Sequence, residues 1–97
     1  MKIDYDGNSV IFNFKWRKYL RIDRKRGLIE FENNSIPFSE VKGYWKNYHP
    51  KGRRLVFYAM LLTKNRLYKI TPEIKDETSI DKVLEVLRDT IPAEVKE

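Results

Sequence analysis

The chain has 97 residues, of which 41% are hydrophobic and 35% charged, so its composition predicts one folded domain with a single core. Twenty lysines and arginines against fourteen acidic residues give a net charge of +6, which favours anionic partners. The absence of cysteine excludes disulfides and cysteine-ligated metals, and no apolar run approaches the roughly 20 residues of a membrane span, so a cytoplasmic protein is expected.

Period-two alternation predicts strands in the first third of the chain. A short first strand is expected over residues 2–5, and residues 9–16 place every second side chain on a buried face. Residues 19–23 and 28–32 form a predicted hairpin, because Asp23 can open its turn and Gly27 can take the positive φ that ends it. The predicted buried residues of this region include Val10, Phe12, Phe14, Trp16, Leu20 and Ile22.

The middle of the chain continues with longer strands. Residues 33–35 are a turn signal, and Pro37 predicts an edge or an irregular crossing, since proline cannot donate to a central ladder. Residues 41–48 predict a strand, 49–53 an exposed loop, 55–62 a strand covered on both faces, and 67–70 its hairpin partner. The 41–48 strand is expected to place Val41, Gly43 and Trp45 on one side and Lys42, Tyr44, Lys46 and Tyr48 on the other.

The last segment predicts one amphipathic helix. Thr78 and Asp81 resemble a capping box, and Pro92 is expected to stop the helix. A single helix cannot bury its apolar stripe alone, so it should lie across the open end or face of the sheet. The stripe consists of Ile80, Val83, Leu84, Leu87 and Ile91.

About seven strands followed by one helix give an order that resembles the pleckstrin-homology-like fold, including its small prokaryotic members. The resemblance covers residues 1–92 as one domain, with 93–97 as a frayed tail, and depends on LRIDRKRGLIEF, IPFSEV, LVFYAMLL with RLYKI, and the final helix. It implies an α+β fold, a strongly twisted antiparallel sheet or small barrel closed by the C-terminal helix. It does not imply a phosphoinositide ligand, because Lys18 stands where that motif needs a hydrophobic residue.

No catalytic, metal or cofactor signature is present in the sequence. His49 stands alone beside Pro50, and a hydrolase would need it in a pocket with a carboxylate or a serine. The acidic pairs Glu30 with Glu32 and Asp4 with Asp6 are interpreted as solvated charges. The chain is therefore predicted to be no enzyme and to use no cofactor.

Basic and aromatic residues are the remaining candidates for function. Seven of the twelve residues from Lys15 to Arg26 are basic, and further basic and aromatic residues follow in 42–54. Two interpretations stay open: a surface for an anionic partner, or a solvated sheet face whose charges pair with each other. The candidate binding residues are Arg17, Lys18, Arg21, Arg24, Lys25, Arg26, Lys42, Tyr44, Lys46, Tyr48, Lys51, Arg53 and Arg54.

The leading functional hypothesis is a binding or scaffolding domain that engages a protein or another anionic partner through this basic surface. The alternative is a small nucleic-acid-binding protein that stacks bases on Tyr44 and Tyr48 and holds phosphates with neighbouring basic residues. Self-association through residues 55–62 or the Trp45 region, and weak contact with an anionic membrane surface, are also consistent with the sequence.

Overall fold

The computed structural model describes residues 1–91, which form two antiparallel sheets and one C-terminal helix, α1 (Glu77–Thr90). The first sheet is a meander in chain order, made of β1 (Lys2–Asp6), β2 (Ser9–Asn13), β3 (Tyr19–Asp23), β4 (Leu28–Phe31) and β5 (Asn34–Pro37). The second sheet contains β6 (Val41–Lys51), β7 (Arg54–Thr63) and β8 (Leu67–Lys69), in that order.

The α+β class is confirmed, with eight strands rather than about seven. Within residues 1–91 the strands form two separate sheets and no closed barrel. The additional strand is β5, which forms because the predicted turn over residues 33–35 is shorter in the structure. Glu32 takes a positive φ of 50° there, so Asn34 already pairs with Phe31. Pro37 lies on a free sheet edge, as its missing N–H predicts. Pro92 and the predicted tail at 93–97 lie outside the described residues.

The predicted alternation in β2 is confirmed for Val10, Phe12 and Phe14 but wrong for Trp16. The strand ends at Asn13, and a short 3₁₀ turn over Lys15–Arg17 follows. The Phe14 N–H donates to the Lys18 carbonyl at 2.8 Å, which closes a loop and ends the period-two pattern. As a result Trp16 is 89% exposed instead of buried in the core.

The predicted sidedness of β6 is wrong at its start because the strand contains a β-bulge. The pairing register with β7 shifts between Val41 and Gly43, so Val41 and Tyr44 are both buried in the core although they are three residues apart. Beyond the bulge, Tyr44, Lys46 and Tyr48 share a face as predicted, but it is the face that α1 packs against. The strand also continues to Lys51, so the predicted 49–53 loop is a two-residue turn at Gly52 and Arg53.

The apolar run in 55–62 forms β7, the central strand of the second sheet, as predicted. One face is buried through Ala59 and Leu61, whereas Leu55 is 47% exposed, so the run is not covered along its whole length. The helix packs on β6 and β7 through the predicted stripe, every member of which is buried. It begins earlier than predicted, because Asp76 is its N-cap and accepts a hydrogen bond from the Thr78 N–H at 3.1 Å.

In the described part of the chain, the single α-helix does not combine the length and apolar character that crossing a membrane requires.

Candidate binding surface

The basic residues of segment 15–26 lie at opposite ends of the first sheet. Residues 15–18 connect β2 to β3, whereas residues 24–26 connect β3 to β4, and the five residues of β3 separate them by about 16 Å. At the second end, Arg24 Nε donates to Thr90 Oγ1 at 3.1 Å, near the C-terminus of α1. The structure therefore does not bring Arg24, Lys25 and Arg26 together with Arg17 and Lys18.

The turn at 24–26 uses its polar groups to build the hairpin. The buried Asp23 carboxylate accepts hydrogen bonds from the backbone N–H groups of Lys25 and Arg26, each at 3.1 Å. The guanidinium of Arg26 also lies 3.8 Å from Asp23 and 3.7 Å from Glu30. The charge of Arg26 is thus compensated within the hairpin, whereas Arg24 and Lys25 have no ion pair within residues 1–91.

The predicted row of two rings and two ammonium groups on β6 does not form one exposed surface. Tyr44 is 1% exposed, and its hydroxyl donates to the Ile91 carbonyl at 2.7 Å. The Lys46 ammonium group donates hydrogen bonds to Asp81 and Glu77 on α1. These bonds, above all the one to Asp81, raise the pKa of Lys46. Tyr48 is 60% exposed, with its ring 6.3 Å from that of Phe57.

The remaining predicted residues are distributed over other surfaces. Arg21 lies on the outer face of the first sheet, 4.0 Å from the Asp6 carboxylate, which fits the interpretation of a charge-paired, solvated face. Lys42 is exposed at the bulge of β6, at the opposite end of that strand from Lys51. Arg53 and Arg54 are exposed at the turn between β6 and β7.

Residues 15–18, which we call the tryptophan loop, have an unusual backbone. Trp16 and Arg17 are consecutive non-glycine residues with positive φ, 65° and 59°. Such left-handed conformations cost on the order of 1–3 kcal/mol each, so tertiary contacts must hold them. The hydrogen bond from Phe14 to Lys18 does so, and the consequence is that a tryptophan stands in solvent between Lys15 and Arg17.

Beside this loop lies a cleft of about 340 Å³, which we call the Trp16 cleft. The tryptophan loop forms one wall, and the segment before α1, residues 72–76, forms the other. A neighbouring polar cleft of about 320 Å³ shares Pro72 and Glu73 with it. This second cleft brings Lys18 and Lys51 close to Lys69, which the sequence did not suggest.

The wall formed by 72–76 is fixed by backbone and side-chain contacts. Ile74 and Phe57 exchange two backbone hydrogen bonds, of 2.7 and 2.9 Å, which attach the segment to β7. The Glu73 carboxylate lies 2.7 Å from Lys69 Nζ, 2.9 Å from His49 Nε2 and 3.8 Å from Lys51 Nζ. Hydrogen bonding to Lys69 is the main reason that the pKa of Glu73 is lowered.

The Trp16 cleft is lined by two lysines, Lys15 and Lys75, and by two carboxylates, Glu73 and Asp76. Both carboxylates are already engaged, Glu73 by Lys69 and Lys51, and Asp76 by the Thr78 N–H and the Ser79 hydroxyl. Hydrogen bonds from the hydroxyl groups of Thr78 and Ser79 lower the pKa of Asp76, which favours the ionised carboxylate. Lys15, Arg17 and Lys75, by contrast, have no ion pair within residues 1–91.

Sequence reasoning missed the central residue of this site, because Trp16 continued the alternation of β2 and was assigned to the core. The available signal was local: a tryptophan enclosed by Lys15, Arg17 and Lys18 at the end of a strand. Lys69, Glu73 and Lys75 gave no such signal, since the chain fold alone places them beside residues 15–18.

No protein-family model matches the chain, and no curated protein or solved structure does so either.

Proposed function

We propose that this chain is a non-enzymatic binding domain of the pleckstrin-homology-like type that holds an acidic segment of a partner protein in the Trp16 cleft. The order of five strands, three strands and one C-terminal helix supports the fold assignment. The exposed tryptophan supports the site. A cleft beside it gives a partner side chain a place to be buried.

The observation that carries the proposal is the 89% exposure of Trp16 on a loop held at positive φ. Tryptophan and arginine are enriched among the few residues that dominate the energy of protein interfaces, and tryptophan buries a large area at modest entropic cost. In the free protein Trp16 contributes almost nothing to the core, so burial of its ring does not offset the local backbone strain. Burial of the ring against a bound partner would offset it.

Charge determines the class of ligand. Lys15 and Lys75, which have no ion pair within residues 1–91, line the opening together with Phe14 and Ile74, and Arg17 lies on the same loop as Lys15. An acidic segment with one large apolar side chain matches both properties, since the side chain can pack against Trp16 while its neighbours meet the cations.

Catalysis is not part of the proposal, although His49 does lie beside a carboxylate. Glu73 is shared with Lys69, and the nearest hydroxyl in that cleft, Thr71, is already occupied. Thr71 Oγ1 accepts from the Ala59 N–H at 3.0 Å and donates to the Pro72 carbonyl at 3.1 Å. The contacts of Glu73 with Lys69 and Lys51 instead fix the wall of the cleft.

A nucleic-acid function is less well supported than it was by the sequence. Of its two proposed stacking rings, Tyr48 is exposed but Tyr44 is buried in the core and cannot stack on a base. Lys46, one of its phosphate contacts, is bound to α1. RNA is therefore kept as a competing ligand in the experiment.

The experiment uses fluorescence and amide NMR. In a Trp45→Phe background Trp16 is the only tryptophan and reports directly on the cleft. A short glutamate peptide with one central phenylalanine is titrated against the same peptide with serine in its place, and against mixed-sequence single-stranded RNA. We expect a blue shift of Trp16 and amide shifts in 14–18 and 72–76 with the phenylalanine peptide, and weaker effects with the serine peptide.

Two variants with the same change in net charge locate the effect. Lys15→Glu, in the wall of the cleft, should weaken peptide binding at least tenfold, whereas Lys25→Glu, at the other end of the sheet, should leave it within about twofold. Trp16→Ala should abolish the preference for phenylalanine over serine while leaving the free energy of unfolding within about 0.5 kcal/mol, because an exposed side chain stabilises little. Equal losses in both charge variants, or tighter binding to RNA than to either peptide, would contradict the proposal.

A further inference from the structure

We infer that the free edge of β1 pairs with β1 of a second copy of this chain and forms a two-fold symmetric dimer. The inference is independent of the Trp16 cleft. It depends on the hydrogen-bonding groups, the exposed ring and the charge order of Lys2–Asp6.

Among the residues that the structure describes, β1 pairs with β2 alone, so its other edge is open. The turn between them has two residues, so its closing pair, Asp6 and Ser9, is hydrogen-bonded. The alternation of an antiparallel ladder then directs the backbone groups of Ile3 and Tyr5 away from β2. These two residues present donors and acceptors to a strand that is not part of this chain.

The edge of β6 is protected against strand addition in its second half. The Tyr48 N–H, which points away from β7, donates to the side chain of Asn47 at 2.8 Å. Pro50, the next outward position, has no N–H. Self-capped donors and prolines are devices that discourage edge pairing.

The remaining edges offer little for pairing. On β5 the outward positions are Ser35 and Pro37, and the proline again removes a donor. Strand β8 has only three residues. Central β7 has neighbours on both sides, so the 55–62 segment has no free edge.

The side chains of β1 are complementary to themselves in one antiparallel register. When two copies pair about Asp4, Lys2 of each copy lies opposite Asp6 of the other, and Ile3 lies opposite Tyr5. Tyr5 is 74% exposed on the core-facing side of the sheet, where Ile3 is half-buried. Pairing would cover this ring and form two cross-strand ion pairs.

The cost of this register is the approach of the two Asp4 carboxylates. Each is already compensated in its own chain, by the Asn13 amide at 2.7 Å and by Lys2 Nζ at 3.9 Å. Two apolar pairs and two ion pairs thus oppose one repulsion. In these ion pairs Lys2 is shared with Asp4 of its own chain, and Asp6 is shared with Arg21. Because the two-fold axis passes between the two strands, midway between their Asp4 residues, the contact closes and gives a dimer instead of a filament.

Sedimentation over a range of protein concentrations tests the inference, with any purification tag placed after residue 97 so that β1 is free. We expect a monomer–dimer equilibrium in the full chain. Lys2→Glu and Asp6→Lys should each weaken dimerisation at least tenfold, and the double variant should restore it, because the charges are exchanged across the axis. Lys64→Glu, a matched charge change in the turn between β7 and β8 of the other sheet, should leave the dimerisation constant within twofold.

Hydrogen exchange supplies a second readout. The outward amides of Ile3 and Tyr5 should exchange more slowly as protein concentration rises, in step with the dimer fraction. A monomer at every concentration, or a dimer in which these amides stay unprotected and the double variant does not recover, would overturn the inference. Neither result bears on peptide binding in the Trp16 cleft, which a monomer would retain.

Discussion

The tryptophan loop and the turn at 24–26 are both short, strongly basic connections of β3, yet the structure uses them in opposite ways. The turn has Asp23 to accept its backbone N–H groups and Gly27 to take the positive φ of 67°. The tryptophan loop has neither a side-chain cap nor a glycine, so positive φ falls on Trp16 and Arg17. A charge-rich sequence therefore says little about availability for binding until its local hydrogen bonds are known.

Substitutions in the two connections should therefore change different properties of the protein. The hydrogen bonds and ion pairs of the turn stabilise the native hairpin, so substitutions there should lower the free energy of unfolding. The tryptophan loop holds a strained backbone and an exposed ring, so its substitution should be felt mainly in binding.

The largest expected effect is at Asp23. Replacement by alanine leaves the N–H groups of Lys25 and Arg26 without their acceptor and removes the partner of the Arg26 guanidinium. We expect a loss of about 1–3 kcal/mol in the free energy of unfolding, measured by urea denaturation. A loss below about 0.5 kcal/mol, as for an ordinary surface substitution, would show that the two connections are equivalent in folding.

Replacing Gly27 tests whether the positive φ of the turn depends on glycine. Gly27→Ala should destabilise the protein by about 1–2 kcal/mol, because alanine pays the left-handed backbone cost. Its new methyl group would meet only ordinary contact, with Phe38 Cδ2 at 3.9 Å, so the loss reports φ and not crowding.

The reverse change in the tryptophan loop has the opposite sign. Arg17→Gly should stabilise the protein by about 0.5–1 kcal/mol, since relief at a φ of 59° exceeds the added entropy of the unfolded chain. Urea denaturation of both variants gives the comparison directly. A destabilised Arg17→Gly variant would mean that the loop backbone is not strained.

The smallest effect concerns Glu73, whose ion pairs help to hold residues 72–76 opposite the tryptophan loop. The pKa of Glu73 is lowered in the folded protein, chiefly by Lys69. Its stabilising contribution is therefore complete above the pKa of the unfolded state and is lost as the pH falls through the lower folded value. Because these groups are partly solvated, the effect should be modest.

Acid denaturation measures this contribution. Below pH 4.5, the dependence of the unfolding free energy on pH should be shallower in Glu73→Gln than in the unmodified chain. Some acid dependence should remain, because the pKa of Asp76 is lowered as well. Identical slopes in the two proteins would show that Glu73 does not hold the wall through its charge.

Periodicity in the sequence predicted the elements well but could not assign every residue to a face. In β6 one bulge residue places Val41 and Tyr44 on the same side, so strict alternation reverses the faces from Gly43 onward. In β2 the alternation extends in sequence beyond the strand itself, so Trp16 was predicted to be buried. A backbone irregularity of one residue leaves almost no trace in a hydrophobic pattern, yet it decides which side chains reach solvent.

The amino-acid sequence by itself determined the α+β class, the hairpin at Asp23 and Gly27, the long central strand and the buried stripe of α1. These features depend on side-chain period and turn chemistry, which act over a few neighbouring residues. Only the tertiary structure decided that the two basic segments lie apart, that Tyr44 is buried and that Trp16 faces a cleft. Those outcomes follow from contacts between residues distant in sequence, such as residues 15–18 with 72–76, and local patterns contain no information about such distances.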